Sequence, residues 1–210
     1  MKIAVIGKGR VGAVLAPAFH RAGHEVVWGV RDPHDPKYAD DSGIALRTTR
    51  DAAQWAEVIV GAVMWDGIEA MLRDCGDMAG KILIDCSNPL KMTETGLALS
   101  LGFDTSAGEI VQGLTSATVV KTLNQVGSPV MATAHDYAER PIQFVASDDA
   151  AAKQTVSGLL RDIGFEPVDH GGIESSRLLE PLGMIWIDQA YKHGMDMSRA
   201  WLLRGLGRDA

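Results

Sequence analysis

The residues of this chain best placed to do chemistry stand at the ends of short apolar runs. The first set is Gly7-Lys8-Gly9-Arg10-Val11-Gly12, which follows Ile3-Ala4-Val5-Ile6 and leads into a helical pattern, Val11, Val14, Leu15, Ala18 and Phe19. Gly-x-Gly-x-x-Gly at a strand-to-helix junction is the phosphate cradle of a dinucleotide-binding βαβ unit. Gly7 permits the tight turn, Gly9 lets backbone approach a pyrophosphate, and Gly12 lets helix and strand pack closely. The N-terminus of the following helix offers unpaired N–H groups and a partial positive charge to the phosphates.

The second set reads the adenosine ribose. It lies about 20 residues past the glycines, at the tip of the next strand, where an acidic residue favours NAD and an arginine favours the 2′-phosphate of NADP. Here the tip is Val30-Arg31-Asp32-Pro33. Arg31 comes first, Lys8 projects from the glycine loop, and Lys37 follows, so the pattern favours NADP, with Asp32 the one contrary signal. The remaining candidates end later apolar runs: Val63 and Met64 in Ala62-Val63-Met64-Trp65, and Asn88 and Pro89 in Cys86-Ser87-Asn88-Pro89-Leu90. Strand C-termini are where cofactors sit in open α/β sheets.

Side chains for acid–base or nucleophilic work are missing. There is no Gly-x-Ser-x-Gly elbow, no Cys–His pair at a recognisable spacing and no His-Glu-x-x-His helix. Cys75 and Cys86 have no metal spacing and read as buried or half-buried free thiols. The histidines are scattered, so no metal site is expected and no catalytic residue is assigned. Such a pattern suits hydride transfer between two bound rings, where the cofactor carries the reaction and the protein supplies position and exclusion of water.

The elements that must position these residues alternate. Strands are expected at 3–6, 24–30, 44–48, 57–63, 81–85, 117–123, 141–146 and 165–169. Helices are expected at 10–22, 51–56, 67–75, 106–114 and 148–163, with only a short or degenerate one in the polar stretch 32–43. That alternation predicts an α/β fold with a Rossmann-type doubly wound parallel sheet over residues 1–170, widened by the last two strands. Residues 171–210 then form a small C-terminal helical part. Its Leu178, Leu179, Leu182, Met184, Ile185, Trp186 and Ile187 make an apolar set too broad for a one-sided surface helix. A partner subunit would cover it, which points to a homodimer; the rest of the same chain is the alternative cover. Arg177 and Glu180 stand three residues apart on one helical face, an arrangement equally suited to an intrahelical ion pair and to a contact with an acceptor.

Composition narrows the partners. A net charge of −7 argues against nucleic acid, and no apolar run reaches membrane-spanning length. Met1 runs directly into the first strand, leaving no room for a leader, so a cytoplasmic location and a small-molecule acceptor are expected.

The sequence resembles the NADPH-dependent coenzyme F420 reductases (F420H2:NADP oxidoreductases) and their bacterial relatives along nearly its whole length. The glycine loop, His24 to Pro33 and Asp85-Cys86-Ser87-Asn88-Pro89-Leu90 carry the resemblance, and two stretches that generic dinucleotide-binding chains do not share sharpen it. These are Val119-Val120-Lys121-Thr122-Leu123-Asn124-Gln125 and Ser175-Ser176-Arg177-Leu178-Leu179-Glu180-Pro181-Leu182. The resemblance implies NADPH bound by the glycine loop, Arg31 on the 2′-phosphate, Asn88-Pro89 near the nicotinamide, a homodimer, and hydride exchange with a deazaflavin (F420) or flavin-like ring. Two positions depart from the family pattern. Val30 replaces a small hydroxyl residue, and Asn124, the position that approaches the acceptor, replaces the histidine of the archaeal enzymes, which leaves the acceptor open. Two other readings stand beside it: a non-catalytic NADP-binding redox sensor, and an imine or pyrroline-carboxylate reductase.

Overall fold

Apolar strands and amphipathic helices alternate from the first residues. The structure, a computed structural model, describes residues 1–39 and 42–205. In order come β1 (Lys2–Ile6), α1 (Gly12–Arg21), β2 (Glu25–Val30), β3 (Ala45–Thr48), α2 (Thr49–Trp55), β4 (Val58–Gly61), α3 (Ile68–Cys75) and β5 (Ile82–Asp85). A hairpin of β6 (Leu90–Thr93) and β7 (Gly96–Leu99) intervenes before α4 (Ala107–Leu114) and β8 (Thr118–Lys121). The chain continues through α5 (Ser128–Ala132), β9 (Ile142–Val145), α6 (Ala150–Asp162), β10 (Glu166–Asp169) and α7 (Ser176–Tyr191). Among its described residues, the polar stretch after β2 holds a short 3-10 turn, Pro36–Tyr38, as its prolines and acidic residues imply.

Six strands form one sheet in the order β3-β2-β1-β4-β5-β8, every pair parallel. Alternate residues of each strand serve different cores, because both sheet faces are covered. Ile3 and Val5 pack with Leu15 and Phe19 of α1, whereas Ala4 and Ile6 pack with Ala52, Met71 and Val111 of α2, α3 and α4. The strand order reverses between β1 and β4, and the carboxyl ends flanking that point open the crevice where such sheets bind ligands.

Helix α5 falls where no element is expected, and two features of the strands differ from the expectation. First, β9 and β10 do not extend the main sheet; they form a separate parallel pair. A single antiparallel bridge, Lys121 to Ala146, joins the two sheets. The ladder goes no further because the Gln125 amide takes the place of a strand: its Oε1 accepts from the Phe144 N–H at 2.8 Å and its Nε2 donates to the Phe144 carbonyl at 3.1 Å. Second, the hairpin occupies a stretch to which the sequence reading gives no element. Gly96, at φ +116°, turns it, and Thr93 Oγ1 donates to the Gly96 carbonyl at 2.7 Å.

The chain itself covers much of the broad apolar set on α7. Leu179 and Trp186 are buried, while Leu178 and Ile185 remain 59% and 53% exposed. Close docking relies on glycines. A Cβ at Gly127 would meet Trp186 Cη2 at 2.2 Å, and one at Gly183 would meet the Asn124 carbonyl at 2.6 Å. Beyond α7 the chain folds back: Trp186 Nε1 donates to the Arg199 carbonyl at 2.8 Å and Trp201 Nε1 to the Gln125 carbonyl at 2.9 Å. Trp186→Ala should therefore cost about 3–5 kcal/mol in urea unfolding. It should also expose residues 192–205 to limited proteolysis, and an unchanged midpoint with an unchanged cleavage pattern would count against this account of the docking.

Candidate active site

The carboxyl ends of β1, β2, β4, β5 and β8 bring the candidate residues to one edge of the sheet. Gly7 turns at φ +98°, and a Cβ there would lie 2.6 Å from the Ala62 carbonyl at the end of β4. A Cβ at Gly12 would lie 2.0 Å from the Gly7 carbonyl, so helix and loop pack on bare backbone. Gly9 is different: no protein atom lies within 4 Å of a Cβ built there. No packing within the fold requires a glycine at position 9, whereas backbone approach by a phosphate does. Val11 occupies the N-cap position of α1, and Arg10 Nη1 donates to the Tyr191 hydroxyl at 3.2 Å, linking the loop to the end of α7.

A cavity of about 340 Å³ runs from Gly7 to α3, lined by Gly29, Arg31, Tyr38, Thr49, Val63 and Asp74 among others. That volume lies within the range of small-molecule sites. Arg31 is exposed and makes no ion pair among the described residues. Lys8 Nζ donates to the Tyr38 carbonyl and lies 5.2 Å from the centre of the Trp28 ring. Lys37 pairs with Asp35 at 2.5 Å. Val63 faces the cavity, and Met64, three-quarters exposed, leads into the turn Trp65–Gly67.

On the other side of the switch point, Asn88 and Asn124 hold one another. Asn88 Nδ2 donates to the Asn124 carbonyl at 2.7 Å, and Asn124 Nδ2 donates to Asn88 Oδ1 and to the Leu179 carbonyl, each at 3.0 Å. Gln125 Nε2 donates to Asn124 Oδ1 at 2.8 Å, so the buried Asn124 amide is engaged at both ends. The residue before it, Leu123, sits at φ +59°, a left-handed conformation costly for a leucine and typical of segments that surrounding structure holds in place. Pro89 lines a smaller cavity of about 180 Å³ with Leu99, Phe103, Arg177, Glu180 and Pro181.

Sequence reasoning assigned no role to the most buried polar group of this edge. Lys121 Nζ is fully buried and donates to Asp85 Oδ2 at 2.9 Å, to Glu180 Oε1 at 3.0 Å and to the Ser87 carbonyl at 2.6 Å. Burial alone would pull its pKa down, but the charges of Asp85 and Glu180 outweigh this and hold it above the ordinary lysine value. The Glu180 carboxylate also accepts the Ala107 and Gly108 N–H groups at 3.1 Å, at the positive end of α4. Arg177 and Glu180 therefore do not pair with each other. Arg177 instead grips Glu109 with two bonds, at 2.9 and 2.7 Å, and reaches Glu174 at 3.0 Å. The sequence carries only part of the signal, two opposite charges ending apolar runs; the structure makes Asp85 and Lys121 register partners on adjacent strands.

Among the described residues no group of His, Cys, Asp and Glu could hold a metal ion, and no helix is long and apolar enough to cross a membrane.

Comparison with known proteins places this geometry. The family model for NADP oxidoreductases, coenzyme F420-dependent, matches residues 2–89. A crystal structure from Arthrobacter sp. FB24, provisionally named an F420-dependent NADP-reductase, shares 32% identity at a TM-score of 0.85, covering 97% of this chain and all of that one. A Sinorhizobium meliloti protein of unassigned function shares 28% identity at a TM-score of 0.75, over 84% of this chain and 87% of its own. Rat metalloreductase STEAP3 is 29% identical over 182 residues, 86% of this chain; the chain spans only 36% of that curated relative's length. An imine reductase from Myxococcus stipitatus, 19% identical at a TM-score of 0.65, shares the fold.

The two cysteines of the chain are both free thiols. Cys75 is a buried free thiol that burial pushes up to about 12, and burial likewise raises the thiol of Cys86, the neighbour of Ser87. A thiol with a raised pKa stays protonated, and the thiolate is the nucleophile. Cys75 should not react with a disulfide reagent in the folded protein at pH 8 and should react in urea; fast labelling of Cys75 in the native chain would contradict this picture.

Proposed function

Because this chain belongs to the F420-dependent NADP oxidoreductase family, and so to the NADP-dependent oxidoreductases, we propose that it passes a hydride between NADP(H) and a deazaflavin (F420) or flavin-like ring stacked on the nicotinamide. The observation that carries this reading is the convergence of the glycine loop, Arg31, and the Asn88-Pro89 and Leu123-Asn124 turns on one carboxyl edge, with no acid–base set among them.

The residues divide the work. Gly7, Gly9 and Gly12, with the N-terminus of α1, would hold the pyrophosphate, with Lys8, Arg10 and Val11 in the same loop. Arg31 would take the 2′-phosphate and Val63 and Met64 would border the adenosine side, while Asn88 and Pro89 frame the nicotinamide. Asn124, its own amide already engaged, would border the acceptor side. Bound there, the nicotinamide supplies two electrons and a hydrogen nucleus as hydride, and the protein's part is to bring the rings within about 3–3.5 Å and keep water out. The cavity beside Pro89 and a groove of about 520 Å³ between β7 and α7 would offer the acceptor its space. Residues 171–210, of which 206–210 lie outside the described residues, would serve this side and the homodimer contact, to which the exposed Leu178 and Ile185 would contribute.

Quenching of the tryptophans should show NADPH binding more tightly than NADH. Arg31→Ala should shrink that preference about tenfold, since a charge-assisted phosphate contact is worth about 1.5–3 kcal/mol. NADPH absorbance should then fall with F420 or a flavin as acceptor. Turnover only with pyrroline carboxylate or with ferric chelates would replace this acceptor class, and tight NADPH binding with no turnover at all would favour a sensor.

A further inference from the structure

The Lys121 ammonium is too enclosed to be an acid or a base. It is fully buried, and its three donors meet Asp85, Glu180 and the Ser87 carbonyl, so a proton lost from it would leave two buried carboxylates unpaired. What it touches defines what it can do. Both backbone groups of Ser87 belong to the cluster, the carbonyl through Lys121 and the N–H through Asp85 Oδ1 at 2.9 Å. The next residue, Asn88, is tied to Asn124, and Asn124 is tied to the Leu179 carbonyl, one residue from Glu180. A Cβ at Gly183, one helical turn on, would lie 2.8 Å from Asn88 Oδ1, so α7 presses directly on the loop.

Resting on the NADP reading above, we propose that Lys121, with Asp85 and Glu180, is a positioning residue for the nicotinamide half of the cofactor site. The cluster fixes the Ser87-Asn88-Pro89 loop to β8 and α7 and does not take part in proton transfer. An apolar replacement could fill the same volume, as often holds for buried ion pairs, but it could not donate to the Ser87 carbonyl. The loop would then be free to move while the adenosine half, at β1, β2 and β4, stayed as it is.

The two halves can be probed separately in the full-length chain. The probes are 2′,5′-ADP, which engages only the adenosine half, and NADPH, whose nicotinamide emission reports its own surroundings. Glu180→Gln and Lys121→Met should leave the 2′,5′-ADP affinity within about twofold of wild type while weakening NADPH about tenfold. Nicotinamide emission in those complexes should resemble that of free NADPH. A merely structural role would move both probes together, so variants that bind NADPH with wild-type affinity and emission, or lose both probes in proportion, overturn the proposal. If these variants fail to fold, Asp85→Asn, which keeps the ammonium paired with Glu180, must show the same split in milder form, and its absence is equally decisive. Failure of the wild-type chain to bind either probe would overturn the cofactor reading, and this inference with it.

Discussion

One buried ammonium and two carboxylates hold the working edge of this protein together. Lys121 and Asp85 end neighbouring central strands, and Glu180 arrives from a helix some sixty residues further along the chain. Isolated charges could not be buried so completely. They are tolerated because each is answered: the ammonium by three acceptors, Asp85 by the Ser87 N–H, and Glu180 by the first N–H groups of α4. The sheet, the Ser87-Asn88-Pro89 loop, α4 and α7 thus share one electrostatic knot, and the position of α7 is tied to that of the loop.

Around the knot the structure depends on absent side chains. Gly12 lets α1 start against the turn at Gly7, and Gly108, Gly127 and Gly183 let α7 lie on α4 and on the strand ends. Packing at backbone distance leaves little room to relax, since overpacking a close contact forces strain on its neighbours. Gly9 differs from these four, because no protein atom presses on it.

Much of this was legible in the sequence. Strand and helix periods gave the order of the main sheet's elements, since parallel strands buried on both faces read as continuous apolar runs. The short hairpin was not legible, because four-residue strands with mixed polarity, such as Leu90-Lys91-Met92-Thr93, carry too little pattern. Nor was the separation of β9 and β10, which depends on one Gln125 side chain satisfying Phe144. At the site, local motifs such as the glycine loop could be read from spacing alone. The Arg177–Glu109 and Glu180–Lys121 pairs could not, because they join residues distant in sequence, and helical spacing suggested a nearer partner.

The returning C-terminal segment has a consequence for how the molecule must be made. The Ile142 N–H at the start of β9 finds its acceptor in the Trp201 carbonyl, and Trp201 also reaches the carbonyl of Gln125. During synthesis the six-stranded sheet can assemble from contacts among elements already emerged, whereas the outer side of β9 waits for residues near 201. Until they arrive, the Ile142 N–H lacks its acceptor, whereas Gln125 and Lys121 can already meet Phe144 and Ala146 further along the strand. The returning segment therefore acts late, closing an end of β9 that the earlier part of the chain leaves uncovered.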